Sequence, residues 1–435
     1  MSGKTILVWF RNDLRIHDNE VFLEAVEKAS LIVPVFCFDP RYYVETPFKT
    51  QKTGSFRAQF ILESVADLKV SLQKMGGDLL IMQGKPEEIL PEICKKYHVD
   101  EVYHHREVAH EETEISSLVE DALWKLQINL KHFIGHTLFH KEDLPFPIKD
   151  IPDVFTTFRK KVEREGIIRP SFATPEKIEI PQDLEESELP NLEDLGICAP
   201  VYDKRSVLRF KGGETEGLNR LRYYLWETDL ISSYKKTRNG LIGGDYSSKF
   251  SAWMSAGCLS PREIYWEVKK YEKERTANDS TYWLIFELLW RDYFRFMFKK
   301  HGTSYFRESG FKGIKQDDAP NQEELFNQWK NAETGVPFVD ANMKELNLTG
   351  FMSNRGRQNV ASFLVKDLKV NWTWGAAYFE EKLIDYNPAS NWGNWAYIAG
   401  LGNDPMENRH FNIEKQAKDY DPNGEFVNLW LPELT

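Results

Sequence analysis

Thr5-Ile6-Leu7-Val8-Trp9-Phe10 is an unbroken apolar run near the start of the chain, and its reading decides the fold. The run has strand length, carries β-branched and aromatic residues, and shows no polar alternation, as expected of a strand buried on both faces. Comparable runs follow at 31–38 (LIVPVFCF), 78–84, 101–107 and 129–135. Helical stretches separate them: over 56–75, Phe56, Phe60, Ile61, Leu68 and Leu72 fall mostly on one face, and Gly76-Gly77 ends the helix. Alternating strands and helices make βαβ units, so residues 1–135 are expected to form an α/β domain, a doubly wound parallel sheet with ligands at the carboxyl ends of its strands. No GxGxxG follows the first strand, which excludes a dehydrogenase-type dinucleotide fingerprint.

Outward from the sheet the character changes. Residues 136–204 are rich in proline and acidic side chains, with one helix expected near 153–165, and read as a connector running over the surface. From 205 to 435 the chain reads as all-α, with helices over 214–228, 250–257, 261–274, 278–300, 321–331, 338–347, 354–369 and 373–384. A length of 435 residues suits two or three domains. The four cysteines form no CxxC pair, which argues against a disulfide framework, a zinc ribbon or a cysteine-held iron–sulfur cluster and for a reducing compartment. His104 and His105 are adjacent on an expected strand and face opposite ways, so no metal is expected. The start lacks a signal peptide and no apolar run is long enough to span a membrane, which makes the expectation a cytoplasmic protein. A net charge of −11 argues against nonspecific coating of nucleic acid but leaves room for a local basic face. Arg220 and its basic neighbours over 204–249 are read as solvated charge.

Eleven of the thirteen tryptophans lie between Trp226 and Trp430, so the helical half either has a Trp-rich core or lines a pocket for something flat and polar. Tyr234 to Ser251 (YKKTRNGLIGGDYSSKFS) combines a Gly-rich loop, two hydroxyls, a lysine and a helix start, a plausible phosphate cradle that lacks Walker A spacing. Glu287, Trp290, Arg291 and Phe294 share one helical face at spacings of three and four. Asn354, Arg355 and Arg357 open another helix, and an Arg357–Asp385 pair is expected because a buried guanidinium needs a carboxylate.

Val8-Trp9-Phe10-Arg11-Asn12-Asp13-Leu14-Arg15, followed by Asp18-Asn19, resembles the opening of the photolyase/cryptochrome family. The segments Tyr246–Phe250, Glu287–Phe294, Thr349–Arg357 and Asn391–Trp395 occur in that family's order, so the resemblance spans essentially the whole chain. KTGSFRAQF at 52–60, WGNWAY at 392–397 and YDPNGEF at 420–426 are similar to the DASH-type cryptochromes.

The resemblance implies FAD folded into the helical domain and repair of cyclobutane pyrimidine dimers by electron transfer from the reduced flavin under blue light. Tyr234, Ser247, Ser248, Lys249 and Phe250 would hold the phosphates and ribityl, and Arg291 would border the cavity. Asn354, Arg357, Asp385, Asn387 and Asn391 would surround the isoalloxazine, with Asn391 at flavin N5. Glu287 and Trp290 would meet the dimer, with Arg238, Gln358 and Tyr397 at the substrate. Tyr397 and Gln358 stand where duplex-active photolyases carry Trp and Met, which fits weaker capture of a flipped dimer and hence action on single-stranded DNA; the protein is expected to be a monomer. Trp395 and Trp372 match the first two members of the family's electron-transfer chain, whereas the third falls at Ala319 or Pro320, and Trp374 or Tyr378 could offer another route. Asn387 replaces a common second aspartate. A 5,10-methenyltetrahydrofolate antenna would lie near the sheet, with Glu107 as a ligand. The rival expectation is an FAD-binding photoreceptor without repair; signalling relatives often carry long tails, and this chain stops at Thr435. A (6-4) photoproduct enzyme would need an active-site histidine pair that the matching segments lack.

Overall fold

The computed structural model describes residues 3–406 and 409–434. Five strands, β1 (Thr5–Phe10), β2 (Leu31–Phe38), β3 (Leu80–Gln83), β4 (Glu101–His105) and β5 (Asn129–Phe133), form one parallel sheet in the order β3-β2-β1-β4-β5. All six residues of β1 are buried because it is central and covered on both sides. The period of two sends Ile6, Val8 and Phe10 to one face, against α1 (Glu20–Lys28) and α2 (Ser55–Lys74). Leu7 and Trp9 point to the other, against α3 (Pro86–Lys96) and α4 (His110–Trp124). Strand order reverses between β1 and β4, so a crevice opens beyond the carboxyl ends of these strands, as doubly wound sheets require. The runs at 101–107 and 129–135 extend beyond their strands: the β4–β5 ladder ends at the His105–Phe133 pair.

The connector is less superficial than its composition suggested. Its helix α5 (Phe155–Glu165) buries Phe155, Phe158 and Val162, spaced three and four apart, in the same core as Leu138, Phe139, Phe146 and Ile151.

The helical domain comprises α6 (Glu214–Arg222), α7 (Tyr234–Thr237), α8 (Ser251–Ser255), α9 (Pro261–Glu274), α10 (Asp279–His301), α11 (Gln322–Lys330), α12 (Pro337–Thr349), α13 (Asn354–Ser362), α14 (Trp372–Lys382), α15 (Pro388–Ala399), α16 (Ile413–Tyr420) and α17 (Glu425–Trp430). Single π turns at Tyr223–Glu227 and Phe363–Asp367 prolong α6 and α13, which is why the sequence reads 214–228 and 354–369 as unbroken helices. Asn278 and Thr281 form a capping box at the start of α10. No helix among the described residues is long and apolar enough to cross a membrane.

The opening motif docks the two domains. Arg15, 1% exposed, donates Nη1 to Gly257 O at 2.8 Å and Nη2 to Asp18 O and Gly135 O, both at 3.1 Å. Asp18 in turn accepts from Arg262 of α9, Nη2 to Oδ1 at 2.8 Å and Nε to Oδ2 at 3.0 Å. Gly257 has φ +71°, and a Cβ there would stand 1.7 Å from Asn12 O, so only glycine allows the helical domain this close to the sheet.

Candidate functional site

Asn391, Asn394, Trp395 and Ile398 recur at spacings of three and four along α15 and line a cavity of about 100 Å³. Asn354, Arg357 and Gln358 of α13, Phe379 of α14, and Asp385, Tyr386 and Asn387 of the following turn enclose it. The expected ion pair is formed: Arg357 Nη2 donates to Asp385 Oδ2 at 2.9 Å, while its Nε donates to Met352 O at 2.9 Å. Asp385 Oδ1 is buried at the wall without a hydrogen-bond partner. Asn391 Nδ2 donates to Ala376 O at 2.9 Å, which fixes the orientation of its carboxamide. Asn387 caps α15 by accepting from Ser390 N at 3.2 Å; asparagine caps as well as aspartate, so the helix start survives without the charge.

The expected phosphate segment lies apart from this cavity and carries its own unsatisfied groups. Tyr234 begins α7, and Ser247, Ser248, Lys249 and Phe250 lead into α8. At five residues α8 is too short to supply the helix end read from the sequence, and the segment's polarity comes from side chains instead. Lys249 has φ +61° and is 4% exposed; its Nζ lies 3.0 Å from the Tyr246 ring centroid and has no hydrogen-bond acceptor. Burial drives this ammonium well below the ordinary lysine range. Glu345 of α12 is buried nearby with neither carboxylate oxygen bonded, and burial pushes it up to about 8. Arg220, grouped with solvated charges in the sequence, is buried and shapes the loop: Nε donates to Ser248 O at 3.0 Å, and Nη2 to Gly244 O at 2.8 Å and Ser247 O at 3.2 Å. Only its helical neighbours mark Arg220 in sequence, so nothing there separates it from an exposed arginine.

A third group faces the outer side of the same domain. Arg238 Nη1 donates to Glu287 Oε1 in a half-buried ion pair. Trp290 stacks on Phe155 at 3.6 Å between centroids and meets the Tyr397 ring edge-on at 5.9 Å. Arg355 Nη1 donates to Gln358 Oε1 at 3.0 Å and Nη2 to Asn239 Oδ1 at 3.2 Å, linking this group to the α13 wall. Arg291 goes elsewhere: it donates to the backbone oxygens of His136 and Met254 and ties the connector to the helical domain, its pKa lowered to about 10 by burial.

The tryptophans divide into two neighbourhoods. Trp395 packs against Phe379 at 5.0 Å and Trp329 at 6.1 Å, and Trp329 reaches Tyr378 at 5.8 Å. Trp372 meets Trp392 at 5.7 Å and donates Nε1 to Glu308 O at 2.8 Å. Trp374 contacts Phe326 at 5.5 Å, and Ala319 donates its N–H to Lys369 O at 2.8 Å.

A second cavity, about 500 Å³, opens at the carboxyl end of the sheet between the domains, with Trp9, Arg11, Tyr42, Glu112, Tyr386 and Trp392 in its lining. Tyr386 and Asn387 border both cavities. Burial raises Glu112 to about 7, so its carboxyl can donate as well as accept a hydrogen bond. Glu107 is not on this wall. Its Oε2 accepts from Arg295 at 2.7 Å, and its Oε1 accepts from Asn12 Nδ2 at 3.3 Å and lies 3.2 Å from His136 Nε2. His105 joins that buried cluster, with its Nδ1 accepting from Gly135 N at 3.2 Å. Glu112, five residues past the end of the expected strand segment 101–107, carried no periodic signal that would have distinguished it from Glu111 or Glu114.

Two family descriptions match the chain: "DNA photolyase" over residues 6–177 and "FAD binding domain of DNA photolyase" over residues 283–435. The chain is similar to the Cryptochrome DASH of Gloeobacter violaceus, 54% identical across 100% of this chain and 87% of the relative. The Cryptochrome DASH of Xenopus laevis is 53% identical across 100% and 84%. Among solved structures, a Synechocystis cryptochrome aligns with a TM-score of 0.96 and 50% identity, covering 99% of this chain and 89% of that one. A class III photolyase from Agrobacterium tumefaciens aligns with a TM-score of 0.86 and 27% identity, covering 100% and 88%.

Proposed function

The chain belongs to the photolyase/cryptochrome family as a blue-light flavoprotein similar to the DASH cryptochromes, and from that premise we propose that it splits cyclobutane pyrimidine dimers, preferentially in single-stranded DNA. Bound FAD supplies the light-driven electron donor. The residues present fit it: Lys249 Nζ and Asp385 Oδ1 are buried polar atoms without partners, as expected of groups completed by a polar ligand.

Lys249, Ser247, Ser248, Tyr234 and Phe250 hold the phosphate and ribityl portion in this reading. Arg357, Asp385, Asn354, Asn387 and Asn391 surround the ring system, and Asn391, held by Ala376, presents an uncharged amide to it. Glu287 and Trp290 receive the flipped dimer, with Arg238, Gln358 and Tyr397 beside them. The observation that carries this assignment is the double role of α15, whose Asn391 and Trp395 line the inner cavity while Tyr397 touches Trp290. A lesion must leave the stack to reach that wall, at a cost of about a few kcal/mol that is least in single strands. The tyrosine at 397 offers less stacking area than an indole, which favours substrates with the smaller flipping cost. The 500 Å³ interdomain cavity suits the 5,10-methenyltetrahydrofolate antenna, with Glu112 in place of Glu107 as its carboxyl partner. A monomer working in a reducing cytoplasm fits four unpaired cysteines.

The test is blue-light-dependent loss of a defined thymine dimer from matched single- and double-stranded oligonucleotides, with reduced holoprotein and dark controls. Loss confined to the single strand is the expected result; loss from both makes the protein a general photolyase. The relatives' name, cryptochrome, supports one rival, a photoreceptor, and no loss from either strand with FAD bound would select it.

A further inference from the structure

The ion pair between Arg238 and Glu287 sits where the proposed function needs Glu287 free. A carboxylate neutralised by a guanidinium is a weaker acceptor for a base edge and has one oxygen fewer to offer, and Arg238, bonded to Oε1, is its one hydrogen-bond partner among the described residues. The pair is half-buried, with side chains 18% and 31% exposed, so it is neither a freely solvated surface contact nor a locked core bridge.

What could draw Arg238 away lies beside it. Arg355 has no carboxylate partner among the described residues; its terminal nitrogens donate only to the neutral side chains of Asn239, Gln358 and Gln416, and its buried Nε donates to nothing. Its guanidinium plane covers Tyr420 at 4.5 Å. Asn239, the residue after Arg238, accepts from Arg355 Nη2 at 3.2 Å, which brings the two arginines to the same end of α7. Two guanidiniums, one with no anion and one able to exchange its anion, form a fork suited to a tetrahedral phosphate oxyanion.

We propose that Arg238 is a latch: a DNA phosphodiester at the lesion binds between Arg238 and Arg355, pulls Arg238 from Glu287, and so makes base recognition by Glu287 conditional on the backbone. The latch rests on the proposed repair function and adds a specificity device to it. Without a phosphate the carboxylate stays paired and a bare base dimer meets only the weakened Oε2 of a neutralised carboxylate. With a phosphate the charge is conserved, since Arg238 exchanges one anion for another and Glu287 is left facing the bases.

The experiment uses reduced holoprotein and two probes that differ only in the backbone: the cis-syn thymine base dimer, and the thymidylyl-thymidine dimer with its internal phosphodiester. Dark equilibrium binding is read first, then KM and kcat for light-driven splitting. Wild type is expected to bind the phosphodiester probe at least about tenfold more tightly than the base dimer, in line with one charge-assisted contact. In Arg238→Gln the preference collapses to within about twofold, and the base dimer binds more tightly than it does to wild type, because Glu287 is no longer occupied. That gain separates a latch from simple attraction, which would weaken one probe and improve neither. In Arg355→Gln the phosphodiester probe weakens by about tenfold and the base dimer does not improve, since the latch remains closed. Retained FAD absorbance confirms that each variant is folded. An unchanged preference in Arg238→Gln, or a base dimer that binds it no better than wild type, overturns the latch. Wild type that binds and splits both probes equally also overturns it while leaving the repair function standing. Failure to bind either probe overturns the repair function, and the latch with it.

Discussion

Lys249 carries an ammonium to which the protein offers no hydrogen-bond acceptor, in a left-handed backbone conformation that Arg220 helps to hold. Its value lies in a ligand, so Lys249→Met should weaken FAD retention by roughly 10- to 100-fold, the worth of one charge-assisted hydrogen bond of about 1.5–3 kcal/mol, as measured by equilibrium dialysis. Unchanged affinity would remove Lys249 from the cradle. Glu112 makes a different prediction because its burial at the cavity wall outweighs the attraction of the nearby Arg11 guanidinium. Its carboxyl is raised from 4.5 to about 7 on folding, so its contribution to stability is full below pH 4.5 and is lost as pH rises towards 7. The loss amounts to at most about 3 kcal/mol. Denaturant unfolding of the apoprotein should therefore show Glu112→Gln gaining on wild type across that interval, and parallel profiles would refute the assignment. The sequence pointed to Lys249 through its Gly-rich surroundings and to Arg357–Asp385 through the need to pair a guanidinium. It could not identify Glu112, Glu345 or Arg220, because a buried charge and a solvated charge are the same letter.

Among elements, α15 and α14 set the geometry of the inner cavity. Gly375 lets α14 approach, since a Cβ there would lie 2.2 Å from Cη2 of the Trp395 indole. Gly375→Ala gains up to about 1 kcal/mol in helix propensity. Displacing the ring costs about 1–3 kcal/mol, so the net effect should be a lower melting temperature together with an altered flavin absorption band. A variant as stable as wild type with an unchanged spectrum would show that the ring moves freely. Helical periodicity anticipated α10 and the 354–369 segment well, because apolar positions recur at three and four. It placed α8 at 250–257 against Ser251–Ser255 and did not register the two π turns, one of them inside 354–369: local backbone adjustments follow from packing, and hydrophobic spacing does not record them. The connector was misjudged for a related reason. Prolines and acidic residues dominate its composition, while the few residues that matter, Phe155 and Phe158 among them, pack against Trp290 and Tyr293 of α10.

At the scale of the whole molecule, the motif that carries the family resemblance docks the two domains, with Arg15, Asp18 and Arg262 buried where sheet, connector and α9 converge. Asp18→Asn leaves Arg262 charged and unpaired in the interior, and should cost about 3–5 kcal/mol, seen as early unfolding in urea. A midpoint equal to wild type would mean that water reaches the arginine. The amino-acid sequence by itself determined the parallel sheet, the helical second half and the family, because strand and helix periods are local and the motifs are contiguous. It also offered, beside a Trp-rich core, a pocket for something flat and polar among the tryptophans. Only the tertiary structure decided that Glu107 faces Arg295 and His136 while Glu112 faces the cavity, that Arg291 ties domains together, and that Arg238 closes on Glu287. Those outcomes depend on which side chains distant in sequence the fold brings within hydrogen-bonding distance, and no local pattern carries that information.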